Sequence, residues 1–214
     1  MANIEPESVG NRRKLLVSDQ AGRSNVLAAL ERIGIAVNKN DPRIARLLDE
    51  VKEREAIGYA YEAAEASFEL LARRMLGTVP KFFDVSYFDV KVEQRSHNGS
   101  GPEVLTTAVV KVKVGNDTLI SAAEGNGPVN ALDVALRKDL GKYQKFIDGL
   151  RLTDYRVRIL NAGTEAVTRV LIESEDETGE HWTTIGVSPN IIDASFQALM
   201  DSIVYKLVRS GAPA

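Results

Sequence analysis

The run TTIGVSPNIIDASFQALMDSIVYKL at 183–207 decides how the rest of the chain is read. A strand enters it from the polar turn Asp176-Glu177-Thr178-Gly179, bends at the corner Gly186-Val187-Ser188-Pro189, and continues as an apolar helix. A shift of 61 residues lays Gly125-Asn126-Gly127-Pro128 on that corner and brings Thr107 onto Thr168 and Val109 onto Val170. The first copy has its own polar turn, Gly115-Asn116-Asp117, before its corner. We therefore expect two βββα units, about 81–146 and 151–209, related by duplication, although apolar parity inside the strands drifts by one residue between them.

Working back towards the N-terminus, a period of two marks the β part. Phe83, Val85 and Tyr87, then Phe88, Val90 and Val92, and then Val110, Val112 and Val114 alternate with polar residues. Turn residues Asn98, Gly99, Gly101 and Pro102 separate the runs. Ahead of Pro80 the period becomes helical, with Ala64, Phe68, Leu71, Ala72 and Met75 on one stripe and Ile44, Leu47, Leu48 and Val51 on another after Asp41-Pro42. Val26, Leu27, Leu30 and Ile33 mark a first helix, with Ser24 as N-cap and Gly34 at its end; Lys14 to Val17 reads as a short strand. The sequence thus predicts an α+β fold with helices over 1–79 and the two units over 80–214.

At 214 residues and 44% hydrophobic composition the chain buries a real core. Its 27 basic and 30 acidic residues are interspersed, giving −3, so no basic field marks nucleic acid or an anionic membrane as partner. With no cysteine, disulfides and thiolate chemistry are excluded and a cytoplasmic location is expected. No apolar run approaches the roughly 20 residues of a membrane span, and the polar start MANIEPESVGNRRK has no signal-peptide core.

Three stretches carry a resemblance: VGNRRKLLVSDQAGRSN at 9–25, GNGPVNALDVALRK at 125–138 and the run at 183–207. Together they resemble the C-terminal linker and regulatory domain of the citramalate synthase and 2-isopropylmalate synthase family, the citramalate branch above all. The resemblance implies helical linker subdomains, then a regulatory homodimer domain of two pseudo-twofold βββα units that binds isoleucine or leucine as feedback effector. It also implies a catalytic (β/α)₈ barrel that would hold a divalent metal through a His-x-His pair. The only histidines, His97 and His181, lie far apart, and a barrel needs about 250 residues of its own. We expect no catalytic residue, no metal and no cofactor in this chain, and no condensing activity from it alone.

Candidate binding residues follow. Gly125, Asn126, Gly127, Pro128, Val129 and Asn130 would cradle a carboxylate at a helix N-terminus, or they form a strand-to-helix turn with Gly at positive φ and Pro at N1. The resemblance favours the first. Val187, Ser188, Pro189, Asn190 and Ile191 form the matching corner, or Ser188 caps a helix and Ile191 is core. Asp154 would accept from an ammonium group and Tyr155 wall a pocket, or they are an ordinary turn residue and strand aromatic. The loop Ser18 to Ser24 resembles one that reaches towards the family's active site, but Gln20-Ala21-Gly22 stands where relatives carry His-Ser-Gly, so no histidine role transfers. Tyr59, Tyr61 and Glu62 would contact a partner or pack between helices.

Overall fold

A computed structural model of the chain describes residues 22–97, 100–161, 163 and 166–214. The strand expected at Lys14 to Val17 and most of the loop from Ser18 lie outside them. Three helices come first: α1 (Arg23–Arg32), α2 (Pro42–Ala56) and α3 (Glu65–Met75). α1 begins two residues earlier than expected, and its N-cap is Gly22, not Ser24. α2 has the expected start: Asp41 caps it by accepting from the Arg43 N–H, with Pro42 at the first turn. Gly34 closes α1 at φ 73°, a left-handed conformation that lets the Ile35 N–H reach back to the Leu30 carbonyl.

The expected βββα order follows twice. β1 (Asp84–His97), β2 (Ser100–Val114) and β3 (Asp117–Gly125) form one antiparallel sheet, and α4 (Pro128–Lys138) follows it. A short helix, α5 (Gln144–Ile147), leads to the second sheet of β4 (Arg151–Ile159), β5 (Thr168–Glu175) and β6 (His181–Ser188), which α6 (Ile191–Arg209) closes. Within β1 and β4 the alternation changes face for a physical reason. A bulge between Val85 and Tyr87 adds a residue to β1, and another between Leu152 and Asp154 does so in β4, so alternation restarts on the other face.

The strand pairing corrects the internal repeat and removes the parity drift between the units, since the buried Ala108 and Val110 correspond to Val170 and Ile172, 62 residues on. Thr106 pairs with Gly125 at the end of β3, and Thr168, 62 residues later, pairs with Ser188 at the end of β6. Gly125 therefore corresponds to Ser188, 63 residues on, and the 61-residue shift that superposes the two Gly-x-small-Pro strings is not the structural one. Pro128 is the first residue of α4, whereas Pro189 lies before Asn190, the cap of α6.

α4 lies on β2 and β3, α6 lies on β5 and β6, and the two helices touch. One core joins Ala108, Val110 and Val112 of β2, Leu132 and Leu136 of α4, Val170 and Ile172 of β5, and Leu199 and Ile203 of α6. Phe88 of β1 stacks on Phe196 of α6 with centroids 4.6 Å apart. The second sheet is covered on both faces. Ile185 and Val187 of β6 pack with Val51, Phe68 and Leu71 of the N-terminal helices, which is why β6 is buried almost throughout.

Candidate functional site

Gly125 and Gly127 both lack positive φ, so the turn reading of this corner in terms of left-handed glycines does not hold. Their roles differ. A Cβ on Gly125 would lie 2.4 Å from the Ala131 nitrogen, so glycine there lets β3 and α4 touch. Gly127, in extended conformation at φ −179°, is the N-cap of α4, and a Cβ there would meet nothing within 4 Å. The fold itself does not call for glycine at 127, and the missing side chain leaves room in front of the helix start.

That start is open. No side chain caps α4, Pro128 has no N–H to give, and the Ala131 N–H goes to the Gly127 carbonyl. The N–H groups of Val129 and Asn130 are thus the first-turn donors left for a ligand, at the positive end of the helix dipole. Asn130 turns its Oδ1 back to accept from the Asn126 N–H at 3.1 Å, which fixes the corner.

A cleft of about 630 Å³ lies directly in front, with Asn126, Gly127, Pro128, Val129 and Asn130 on one side and Leu152 and Tyr155 on the other. The bulge in β4 puts Leu152 and Tyr155 on the same face, paired with the inward-facing Ser174 and Ile172. The Tyr155 hydroxyl lies 2.9 Å from the Ser195 hydroxyl of α6, and Ser195 in turn donates to the Ile191 carbonyl. Asp133, Arg137 and Arg151 complete the lining, and the sequence reading did not single them out. Asp133 and Arg137 form a bidentate i,i+4 pair, and Arg137 also donates to the Leu150 carbonyl. Their four-residue spacing on α4 was the available signal.

Asp154 does not reach this cleft. It opposes Glu173 on the other face of β4, accepts from the Tyr155 N–H and pairs with Arg156 at 2.9 Å. Nor does the second corner line it. There Asn190 caps α6 by accepting from the Ile192 N–H, Ser188 accepts from the Asn190 N–H, and Val187 is packed against the N-terminal helices. The cap of α6 is thus Asn190 and not Ser188, and Ile191 is 42% exposed, not core.

A second cleft of about 730 Å³ lies between α2, β6 and α6. Most of its polar side chains are paired with one another: Arg54 with Glu50, Arg74 with Asp201, and Tyr59 with Gln197. Tyr61, 3% exposed and stacked on Tyr59, packs inside the helical part. Among the described residues no group of three His, Asp or Glu side chains could hold a metal ion, and no helix is long and apolar enough to cross a membrane.

Comparison with known proteins places this architecture. Residues 62–207 match the model of the LeuA allosteric (dimerisation) domain. The (R)-citramalate synthase of Geobacter sulfurreducens is 50% identical over 210 residues, 97% of this chain but 39% of that enzyme. That of Aquifex aeolicus is 47% identical over 97% of this chain and 39% of its own length, whereas the probable 2-isopropylmalate synthase of Methanosarcina mazei is 30% identical over 95% and 37%. The chain spans about two fifths of the length of these relatives, and its similarity is greater to the citramalate synthases. It belongs to the LeuA allosteric (dimerisation) domain family.

Proposed function

We propose that this chain is the regulatory part of an acetyl-CoA-dependent acyltransferase of the citramalate synthase kind, which binds a branched-chain amino acid, isoleucine in preference to leucine, as feedback inhibitor. The uncapped start of α4 behind Gly127 carries the reading, because it offers a carboxylate two N–H donors with no side chain in the way. Val129, Leu152 and Tyr155 supply the apolar wall a branched side chain needs, and Asp133 is the carboxylate within the cleft for an ammonium group. Ile191 enters through Ser195 and Tyr155 and not by direct lining.

Inhibition requires that the effector bind two states of the whole enzyme with different affinity. The catalytic barrel, with its divalent metal, would be the partner that feels the difference, in a cytoplasmic enzyme. Two copies of the chain would associate through this domain. The apolar residues Val157 and Ile159 continue the face of Tyr155 along the edge strand β4 and are 43% and 65% exposed, which suits them to cover by a second copy.

Isothermal calorimetry and thermal shift with isoleucine, leucine and valine test the assignment. A ligand at 100 times its Kd stabilises by about 2.7 kcal/mol. Isoleucine and leucine differ by one methyl position, so about 1–3 kcal/mol of selectivity is expected, and a larger shift with leucine would reassign the parent to the isopropylmalate branch. The self-capped second corner favours a purely structural dimerisation module as the other reading. That reading gains if no branched-chain amino acid moves the transition. The isolated chain should form no product from acetyl-CoA and pyruvate.

A further inference from the structure

The second cleft is lined by α6 directly, and the cleft in front of Gly127 reaches the same helix through Tyr155. Near its start α6 holds Ser195 against the Tyr155 hydroxyl at 2.9 Å, and Tyr155 is a wall of the cleft in front of Gly127. Two residues on, Gln197 is held by three bonds: its Oε1 accepts from the Tyr59 hydroxyl at 2.9 Å and the Val187 N–H at 3.1 Å, and its Nε2 donates to Asp193 at 3.1 Å. One turn further, Asp201 accepts from the Ser67 hydroxyl and from Arg74, each at 2.8 Å, and Ser67 itself accepts from the Ile185 N–H at 3.0 Å. The N-terminal helices therefore grip α6 through side-chain hydrogen bonds at Gln197 and Asp201. The cleft is linked to the same helix by the Tyr155–Ser195 hydrogen bond.

An α-helix moves as a rod, because each turn is fixed to the next by main-chain bonds. Thr184 donates to the Ala198 carbonyl, and a Cβ on Gly186 would fall 1.9 Å from the Ala194 carbonyl oxygen, so α6 and β6 are in close contact over this turn and shift together. We infer that α6 is the coupling element of the domain, with the Tyr155–Ser195 hydrogen bond as its input from the cleft and Gln197 and Asp201 as its output to the N-terminal helices. Tyr155 and Ser195 are positioning residues in this scheme. The inference rests on the cleft being the effector site, and it adds which bonds carry the signal. A contiguous set of contacts permits such coupling but does not by itself establish it, so the test must measure response at a distance.

The amides of Ile185 and Val187 are suitable reporters, since their partners are Ser67 and Gln197 side chains. In the full chain, saturating isoleucine should slow hydrogen exchange at these two amides and over 59–75 by about fivefold or more, the scale of ordinary allosteric coupling. Tyr155→Phe keeps the ring that walls the cleft and removes the hydroxyl. Its exchange response at saturating isoleucine should be lost, whatever its affinity. Ser195→Ala, at a residue outside the cleft lining, should still be stabilised by isoleucine in a thermal-shift series, yet lose the exchange response. Ser202→Ala breaks the contacts of Ser174 and Trp182 with the same helix and should leave the response intact, which separates coupling from general loosening of α6. Binding with an undiminished response in both Tyr155→Phe and Ser195→Ala overturns the inference. If the unaltered chain binds neither isoleucine nor leucine, the effector reading falls, and the ligand-free proteins decide: Ser195→Ala should speed exchange at Val187 and Ile185 severalfold over Ser202→Ala, and equal rates overturn the coupling role.

Discussion

A Cβ atom on Gly125 would fall 2.4 Å from the backbone nitrogen of Ala131, which cannot retreat without moving the first turn of α4. Gly127, two residues on, has open space in the same direction. The two glycines of one corner therefore separate stability from binding. Gly125→Ala should destabilise the chain by about 1–3 kcal/mol through overpacking. Gly127→Ala should change stability by no more than about 0.5 kcal/mol and yet weaken isoleucine binding, since its methyl group would occupy the approach to the Val129 and Asn130 N–H groups. Urea unfolding and calorimetry on the two variants check this, and equal loss of stability in both would remove the distinction.

Lys206 is 5% exposed and Asp176 6%, and they meet at 2.8 Å beneath the turn between β5 and β6. Burial works against the charged form of Asp176, but the Lys206 ammonium and the Thr178 and Glu180 N–H groups outweigh it and hold the carboxyl below its ordinary range. Burial likewise opposes the charge on Lys206, which Asp176 and Glu177 raise overall. Asp176 then contributes stability that is present above about pH 4, the unfolded carboxylate range, and is lost as pH falls through its lower folded value. Lys206 contributes below about pH 10 and loses its share as pH rises beyond. Lys206→Met should cost about 3–5 kcal/mol at pH 7, because it strands a buried carboxylate. The deficit should shrink towards pH 3 as Asp176 protonates. Denaturant midpoints against pH for both proteins check the sign.

Much of this architecture was legible because its signals are local. Asp41-Pro42 and Gly34 mark helix ends by their own chemistry, and the change of period near Pro80 marks the β part. The bulges at Ser86 and Thr153 were not legible, since nothing in those residues announces an extra position. Nor was the step of the repeat from 62 to 63, which comes from a turn between β5 and β6 longer than that between β2 and β3. The cleft was half legible. Gly127 to Asn130 are contiguous and recognisable, but Leu152 and Tyr155 reach the cleft through the pairing of β4, and Asp154 is turned away by the same alternation. Asn190 was obscured by its neighbours, as Ser188 and Pro189 imitate the Gly127-Pro128 start.

Val157 and Ile159 lie on the edge strand β4, and α6 lies across β5 and β6. With 43% and 65% of their surface exposed beside Tyr155, they offer adjoining apolar surface on an edge strand for a second copy to cover. Ile159→Glu should shift the chain towards monomer in sedimentation equilibrium, with little change in the helical signal by circular dichroism. A dimer of unchanged strength would move the contact elsewhere on the molecule.

The two helix starts predict opposite responses to capping. α6 already has its cap, and Asn190→Ala should cost about 1 kcal/mol by freeing the Ile192 N–H. α4 has none, and Gly127→Asp would place a carboxylate at its N-cap, where it accepts from the first-turn N–H groups and meets the positive end of the helix dipole. Because Gly is itself a tolerable cap, the gain should be only a few tenths of a kcal/mol, and it should fade as pH falls below about 4 and the new carboxyl protonates. The same carboxylate is an internal copy of the effector's own, so isoleucine affinity should fall by tenfold or more, about 1.4 kcal/mol. A Gly127→Asp chain that is slightly more stable and no longer shifted by isoleucine would identify the α4 start as the carboxylate site. Undiminished binding would show that the amino acid is held by other groups.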